Sequence, residues 1–434
     1  MTAPTIPASE SVRQKQPAQQ SNQPEQPRRK HDRLITRDMA LVMLATFCFM
    51  SSNMLANPIV AGYAESLGAD GMLMGAVAGS MSFISLFCRP IAGNLSDKTS
   101  KRTLVAVGTV LYFAAGLLYY FANSPIMLIM ARVINGVGFA CCSVCLATWM
   151  SLLLPIRHMG AGMGLYGTMN ALAMAVGPAL GIRAQKYIGY RLTFLSSLVL
   201  AVIMLIATLM VKNGGQPVRK KQTYITENPS TAVDIDGSAS ATKKHRFSIR
   251  SILEPRVVPL SLTFMMFAIA YFANQSFIVN YVQSRHLPVS SDLFFMFYAV
   301  ALLVLRLGLR DLFDSKGFRF WLTVCSLGML AMLACMTFLF NDWMLLLAAI
   351  FTAVGYGLMS SVTQAQAVVI AGRERSGIAN STYYAGIDLG MSVGPFVGGL
   401  VYGRLSAVWF YPVFMLAMPV AWLIYLLCVK RVSR

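Results

Sequence analysis

Charge is what this sequence has little of. Only 12% of its 434 residues are Asp, Glu, Lys or Arg, while 56% are hydrophobic, a balance too apolar for two or three water-soluble domains. Acids are the scarcer sign, 17 against 36 Lys and Arg. Histidine occurs four times and never in the middle of an apolar run, so no His/Glu set or metal-ligand spacing marks an enzyme or a metal centre. The sequence has no Gly-Lys-Ser/Thr phosphate loop, which argues against an ATP-driven pump, and no cofactor is implied. The eight cysteines (Cys48, Cys88, Cys141, Cys142, Cys145, Cys325, Cys335 and Cys428) all fall inside apolar runs, where oxidative pairing is not expected. "CCSVC" at 141–145 has no His or carboxylate in its helix and reads as small packing residues rather than metal ligands. The stretch before residue 38, with its "SVRQKQPAQQSNQPEQPRRKHDR", lacks the apolar core of a secretory signal and reads as a disordered tail.

What is present is apolar length. A helix needs about 20 apolar residues to cross a ~30 Å hydrocarbon core, and twelve runs of that order stand between charges, Gly or Pro. They cover about residues 39–61, 71–92, 103–122, 126–154, 160–182, 191–211, 256–282, 292–309, 319–339, 343–370, 378–402 and 408–429. The expected fold is therefore an all-α membrane protein of twelve transmembrane helices. A cytoplasmic tail (1–37) precedes a six-helix bundle (38–211), a polar Ser/Thr/Gly/Lys linker (212–255), a second six-helix bundle (256–429) and a short tail (430–434). The net charge of +19 raises nucleic acid as a partner, but the basic residues load alternate connections instead. Lys98, Lys101 and Arg102 lie in one, followed by Arg157, the linker, Lys316 with Arg319, Arg373 with Arg375, and Lys430 with Arg431. By the positive-inside rule those connections are cytoplasmic, which puts both termini inside, in a plasma membrane, with no nucleic acid as partner.

The second half echoes the first. "RDLFDSKGFR" at 310–319 follows "GNLSDKTSKR" at 93–102 by 217 positions, so that Asp314 falls where Asp97 stands. The same offset relates Arg306 to Arg89 and "GPFVG" at 394–398 to "GPALG" at 177–181. It also relates "AN" at 273–274 to "AN" at 56–57. One offset spread over three helix pairs argues for two halves related by an axis along the membrane normal. The 93–102 stretch, a Gly-x-Leu-x-Asp-Lys-x-x-Lys-Arg loop after a second span, resembles the loop 2–3 signature of the major facilitator superfamily. "RVINGVGFA" at 132–140 resembles its fourth-helix Arg-x-x-x-Gly signature, and "AVGPALG" at 175–181 resembles the Gly-Pro motif of its drug/proton antiporter branch. Ser100, Asn135 and Ile182 depart from the usual Gly, Gln and Gly of those patterns.

The resemblance implies a secondary transporter that rocks between two access states, with a cytoplasmic gate at Gly93, Asp97, Lys98, Lys101 and Arg102. Asp97 would close that side by pairing with a nearby arginine, here Arg89, while Arg306 and Asp314 are the counterparts in the second half. Read from the residues alone, the same cluster could be topogenic, but that need would not call for an acid. The motif residues Gly177, Pro178, Gly181, Gly394, Pro395 and Gly398 bend two helices and let partners approach closely. The family's use of that motif suggests export.

Asp388 is the acid to watch. Alone among the 17 acids it falls deep inside a span, ~15 Å from its start at ~1.5 Å per residue. An intramembrane carboxylate is functional by default, and Ser381, Tyr384 and Ser392 share its helix face. It reads as a proton carrier or a counter-ion for a cationic substrate; the alternative is an Asp bonded to a neighbouring hydroxyl for packing. Arg132 lies near the outer end of the fourth span, where it could face the cavity or snorkel to the surface. Other polar stripes, Asn53 with Asn57, Tyr166 with Asn170, Tyr271 with Asn274, and Tyr356 with Ser360, Thr363 and Gln364, recur at three- and four-residue spacing, some as interhelical glue and some as pocket lining. Mixed with 25 Phe and 28 Met, they suit an amphipathic organic molecule better than a sugar. The expected function is thus proton-coupled efflux of a small amphipathic compound, as in drug resistance, by a monomer whose partners are substrate, protons and lipid bilayer. The alternative is a proton symporter importing a sugar or other metabolite.

Overall fold

The structure, a computed structural model, describes residues 36–154, 159–216, 253–309, 312, 316–372 and 375–432. The expected disordered tail and most of the linker lie outside the described residues. In hydrocarbon every backbone N–H and C=O must be satisfied within its own segment, and the chain answers with helices.

Along the first half run α1 (Arg37–Ser66), α2 (Gly71–Lys98), α3 (Lys101–Phe121), α4 (Pro125–Leu153) and α5 (Met159–Met210). The second half holds α6 (Val258–Ser284), α7 (Ser291–Gly308), α8 (Phe318–Thr337), α9 (Asp342–Ala371), α10 (Ser376–Arg404), α11 (Phe410–Met415) and α12 (Ala417–Val432). Their starts carry local signals: the side chains of Thr36, Asp70, Ser124 and Asn341 each accept from the backbone N–H three residues on, filling donors a helix start leaves open. Helix α1 ends at Gly68, which takes φ 86° while its N–H and that of Ala69 close back on Glu65 O and Ala64 O, a glycine-terminated helix end.

Ten helical segments are long and apolar enough to cross a membrane among the described residues. One of them, Leu165–Met210, covers most of the fifth and the sixth expected spans; these are two helices, joined within α5 at Gly189, whose φ of 75° and ψ of 174° are non-helical and which no other residue type adopts cheaply. The eighth expected span is the 18-residue α7. The central windows of α1 and α6 are 72% and 78% buried, against 33% for Ala407–Cys428, so α1 and α6 are inner helices and the last segment is rim.

Small residues set the closest contacts, as expected where lipid gives helices no hydrophobic reason to associate. Gly177 and Gly181 of α5 lie against Ser51, Met54 and Leu55 of α1, and Gly394 and Gly398 of α10 lie against Ile269, Ala273 and Phe277 of α6. Glycines 217 positions apart in sequence thus make matching contacts. Helices α2 and α10 meet the same way: a Cβ on Gly71 or Gly75 would come within 2.5 Å of Gly403 Cα or Pro395 O, and one on Gly79 would collide with Ser392 O. That contact seals the end of the molecule opposite the 93–102 loop. At Gly93, further along α2, a Cβ would meet nothing within 4 Å.

Candidate functional site

The α2–α10 seam ends in an ion pair. Arg89 Nε stands 2.5 Å from Asp388 Oδ2, and its second nitrogen donates to Asp388 Oδ1 at 3.0 Å. The Asp388 side chain is 2% exposed and that of Arg89 21%. Phe139 of α4 and Tyr384 of α10 flank the guanidinium at 5.4 and 5.8 Å from their ring centroids, close enough for cation–π attraction. The antiparallel run of glycines from Gly71/Gly403 to Gly79/Ser392 brings the two helices within reach, and the long arginine arm bridges what remains. Sequence reasoning places Asp388 at depth and pairs Arg89 with Asp97. The partner of Arg89 among the described residues is Asp388, 299 residues away, and nothing local in the sequence announces their contact. The side chain of Asp97 and all of Asp314 lie outside the described residues.

Arg132 does not snorkel. It is 2% exposed and donates to Val77 O (3.3 Å), Ala78 O (2.8 Å) and Asn57 Oδ1 (3.1 Å), with Met81 Sδ at 3.6 Å. Helix carbonyls keep a second lone pair for such a visitor. No carboxylate lies within 4 Å of it, the two ion pairs among the described residues being Arg89–Asp388 and Arg375–Glu254. Met54 joins this cluster to the second half, its sulfur lying 3.8 Å from both Asn57 Nδ2 and Gln275 Nε2.

The remaining stripe residues divide. Tyr356, in the π-helical turn Ala353–Leu358 of α9, stacks on Tyr271 with centroids 4.0 Å apart. Asn274 Oδ1 accepts from Tyr411 Oη at 2.9 Å, tying α6 to α11. Gln364 donates to Asn380 Oδ1 at 3.2 Å, and Asn170 to Tyr166 O of its own helix at 3.3 Å. Tyr384 is 41% exposed beside Arg89.

The turn between α2 and α3 and the first residues of α3 hold the chain that follows α5. Arg102 donates to Val211 O, Lys101 N–H to Gly215 O and Ser100 Oγ to Gly214 O at 2.7 Å. Asp38 accepts from the N–H groups of Lys212 and Asn213. Lys98 is exposed and Lys101 buried, while Arg306 is half-buried with its Nε lacking a hydrogen-bond partner. Sequence reasoning missed three polar residues at helix seams: Glu65, Gln275 and Glu254. For Glu65 a signal existed, since the Gly68 stop placed the helix end beyond it.

Glycine-sealed, apolar helices of membrane-crossing length, joined by a charge pair between α2 and α10, mark a polytopic membrane protein. Comparison with known proteins gives the class: the family model of the Major Facilitator Superfamily matches residues 42–342 and 317–434, and the chain belongs to that superfamily of transporters. It is 22% identical over 378 residues to an uncharacterised MFS-type transporter of Methanocaldococcus jannaschii, covering 86% of this chain and 92% of that one. An SPX domain-containing membrane protein of Arabidopsis thaliana is 32% identical over 169 residues, which is 38% of this chain and 24% of that protein. Among solved structures, a POT family transporter in complex with a thioalcohol-conjugated peptide superposes with a TM-score of 0.70 at 12% identity, over 92% of this chain and 97% of that one. The nucleoside transporter NupG superposes with a TM-score of 0.67 at 13% identity, over 92% and 100%. At such identity these two likenesses concern the fold alone.

Proposed function

We propose that this transporter couples proton entry to export of a small amphipathic organic compound. In this reading it is a monomer of twelve crossings in two bundles of six (38–211 and 256–429), with both termini cytoplasmic, in the plasma membrane. Substrate binds between the bundles, and access alternates by rocking. The observation that carries the reading is the Arg89–Asp388 pair, a buried charge pair that joins a helix of one set to a helix of the other. Parting it while both groups stay charged leaves an unpaired carboxylate at a site that is 2% exposed, which is costly. A proton on Asp388 removes most of that barrier, so helices α2 and α10 separate only when the acid is loaded. Asp97 and its basic neighbours act as the gate on the cytoplasmic side. Arg132 supplies fixed positive charge one layer further out.

The test uses inverted vesicles holding a pH gradient and a panel of amphipathic compounds. Wild type should discharge the gradient on addition of a substrate, and Asp388→Asn, inserted to the same level, should not. Wild-type discharge in that variant would remove the coupling role. Import of a polar metabolite is the second reading; it draws support from the peptide and nucleoside named in the descriptions of the superposed transporters. The direction of flux in oriented vesicles separates the two.

A further inference from the structure

At the sealed end of the molecule a second carboxylate sits across the seam between the halves. Glu65, in the last turn of α1, accepts from Asn280 Nδ2 of α6 at 2.5 Å and from Tyr402 Oη of α10 at 3.4 Å. It is exposed on its other side, and among the described residues it has no ion pair. The charged groups around it are engaged elsewhere or turned to solvent. Asp70 caps α2 through Leu73 N–H; Arg285 donates to Tyr281 Oη and Thr337 O; Arg191 donates to Ala122 O and Asn123 Oδ1. Arg183, Lys186 and Arg404 are exposed.

The neighbour of Glu65 is an acceptor without a donor. Asn280, 1% exposed, has a buried Oδ1 with no hydrogen-bond partner among the described residues. A buried polar atom left open is costly, and this one calls for a ligand that brings an N–H group. Aromatic faces stand on the α1 side, where Tyr63 and Tyr190 are stacked with centroids 5.2 Å apart. Gly62 makes the space: a Cβ there would come within 2.6 Å of Tyr190 Oη and 3.5 Å of both Asn280 amide atoms.

We propose that Glu65, Asn280 and Tyr190 form an outer binding site for a protonated organic amine, which Tyr402 closes when the site is empty. The proposal rests on the rocking motion above. When the halves part at this end, Glu65 loses both donors at once, because Asn280 and Tyr402 belong to the other half. An ammonium group entering the gap then donates to the ionised acid on one side and to the open Oδ1 of Asn280 on the other, with the Tyr190 ring beside it. A bare metal ion fits less well, since one carboxylate and aromatic walls give it few oxygens, whereas aromatic faces attract organic cations.

Equilibrium binding of phenethylammonium to the purified full-length protein tests this, with 2-phenylethanol as the uncharged analogue. Wild type should prefer the amine, Glu65→Gln should weaken it at least tenfold, and Glu65→Asp should restore part of the loss. Tyr402→Phe, which removes a competing donor but keeps the ring, should tighten amine binding severalfold. Unchanged amine affinity in Glu65→Gln, or weaker affinity in Tyr402→Phe, overturns the site. Asp388→Asn keeps the two readings apart. Amine binding that persists there while proton-driven flux is lost supports both. Glu65-dependent binding in a protein with no proton-driven flux of any compound supports this site and sinks the coupling alone. Binding lost in Asp388→Asn but not in Glu65→Gln overturns the outer site.

Discussion

Two arginines on helices of the first half, Arg132 buried and Arg89 half-buried, solve the problem of a charge away from water in opposite ways. Arg89 meets a carboxylate from the other half, Asp388, through two contacts of 2.5 and 3.0 Å. Arg132 meets no carboxylate among the described residues and spreads its charge over carbonyls of α2 and the amide of Asn57. One proton can undo the first arrangement and not the second, because helix carbonyls do not titrate. Arg89 is therefore placed to switch and Arg132 to stay.

The sharpest way to break this comparison is at the switch. Arg89→Met leaves Asp388 without a partner, and in thermal unfolding in detergent it should lower stability by about 3–5 kcal/mol, with transport abolished. The double variant Arg89→Met/Asp388→Leu should recover the stability, since an apolar pair of similar volume is neutral or better by about 1–4 kcal/mol, and still not transport. A double variant that transports would show the pair to be packing only.

Next in size is the fixed arginine. Arg132→Lys keeps the charge but trades a planar fork for a point donor that cannot reach α1 and two carbonyls of α2 together. Expected is a loss of about 1–3 kcal/mol in stability, from donors withdrawn from buried acceptors, with the pH dependence of flux unchanged. A shifted pH profile would make Arg132 part of the switch. Asn57→Asp sharpens the contrast from the other side. It places a carboxylate 3.1 Å from the Arg132 nitrogen, which turns the fixed arginine into a paired one. The variant should be equal or slightly more stable in detergent and slower in transport, as a new titrating pair joins α1 to α4. Unchanged transport would mean that these helices stay together throughout the cycle.

Part of this was legible in the sequence. The position of Asp388 followed from counting residues along an apolar run, and the glycine contacts of α5 and α10 followed from one offset, because both are properties of position within a single helix. Partners were not legible. Before a fold is known only sequence neighbours can be weighed, so the contact of Arg89 with Asp388, 299 residues away, has no counterpart in the sequence reading. Asn274 and Gln275 differ by one residue, and a step of 100° around α6 turns the first toward Tyr411 and the second toward Met54 of α1, a division that spacing alone does not give. Tyr271 and Tyr356 stand in separate stripes, each open between glue and lining, and they lie face to face, a pairing between α6 and α9 that spacing within either helix does not encode. Glu65 escaped because the helix runs past its apolar stretch, to Ser66.

The smallest effect is expected at the second ion pair, Arg375–Glu254, which bounds the comparison from below. The two groups are as close as the Arg89 pair, 2.6 Å, but the arginine side is 47% exposed. Water can take over the guanidinium when its partner is neutralised, so the large penalty of an abandoned buried charge does not arise. Glu254→Gln should therefore lower stability by only about 0–1 kcal/mol, in the range of exposed pairs, and that loss should shrink as salt is raised. The glutamine keeps the backbone bond from residue 254 N–H to Thr382 Oγ1 at 2.9 Å, so the end of the linker stays docked on α10. A loss as large as that of Arg89→Met would mean that the charge of Glu254, 3% exposed, holds α10 in place, and that closeness rather than burial of both partners decides which pairs matter in this chain.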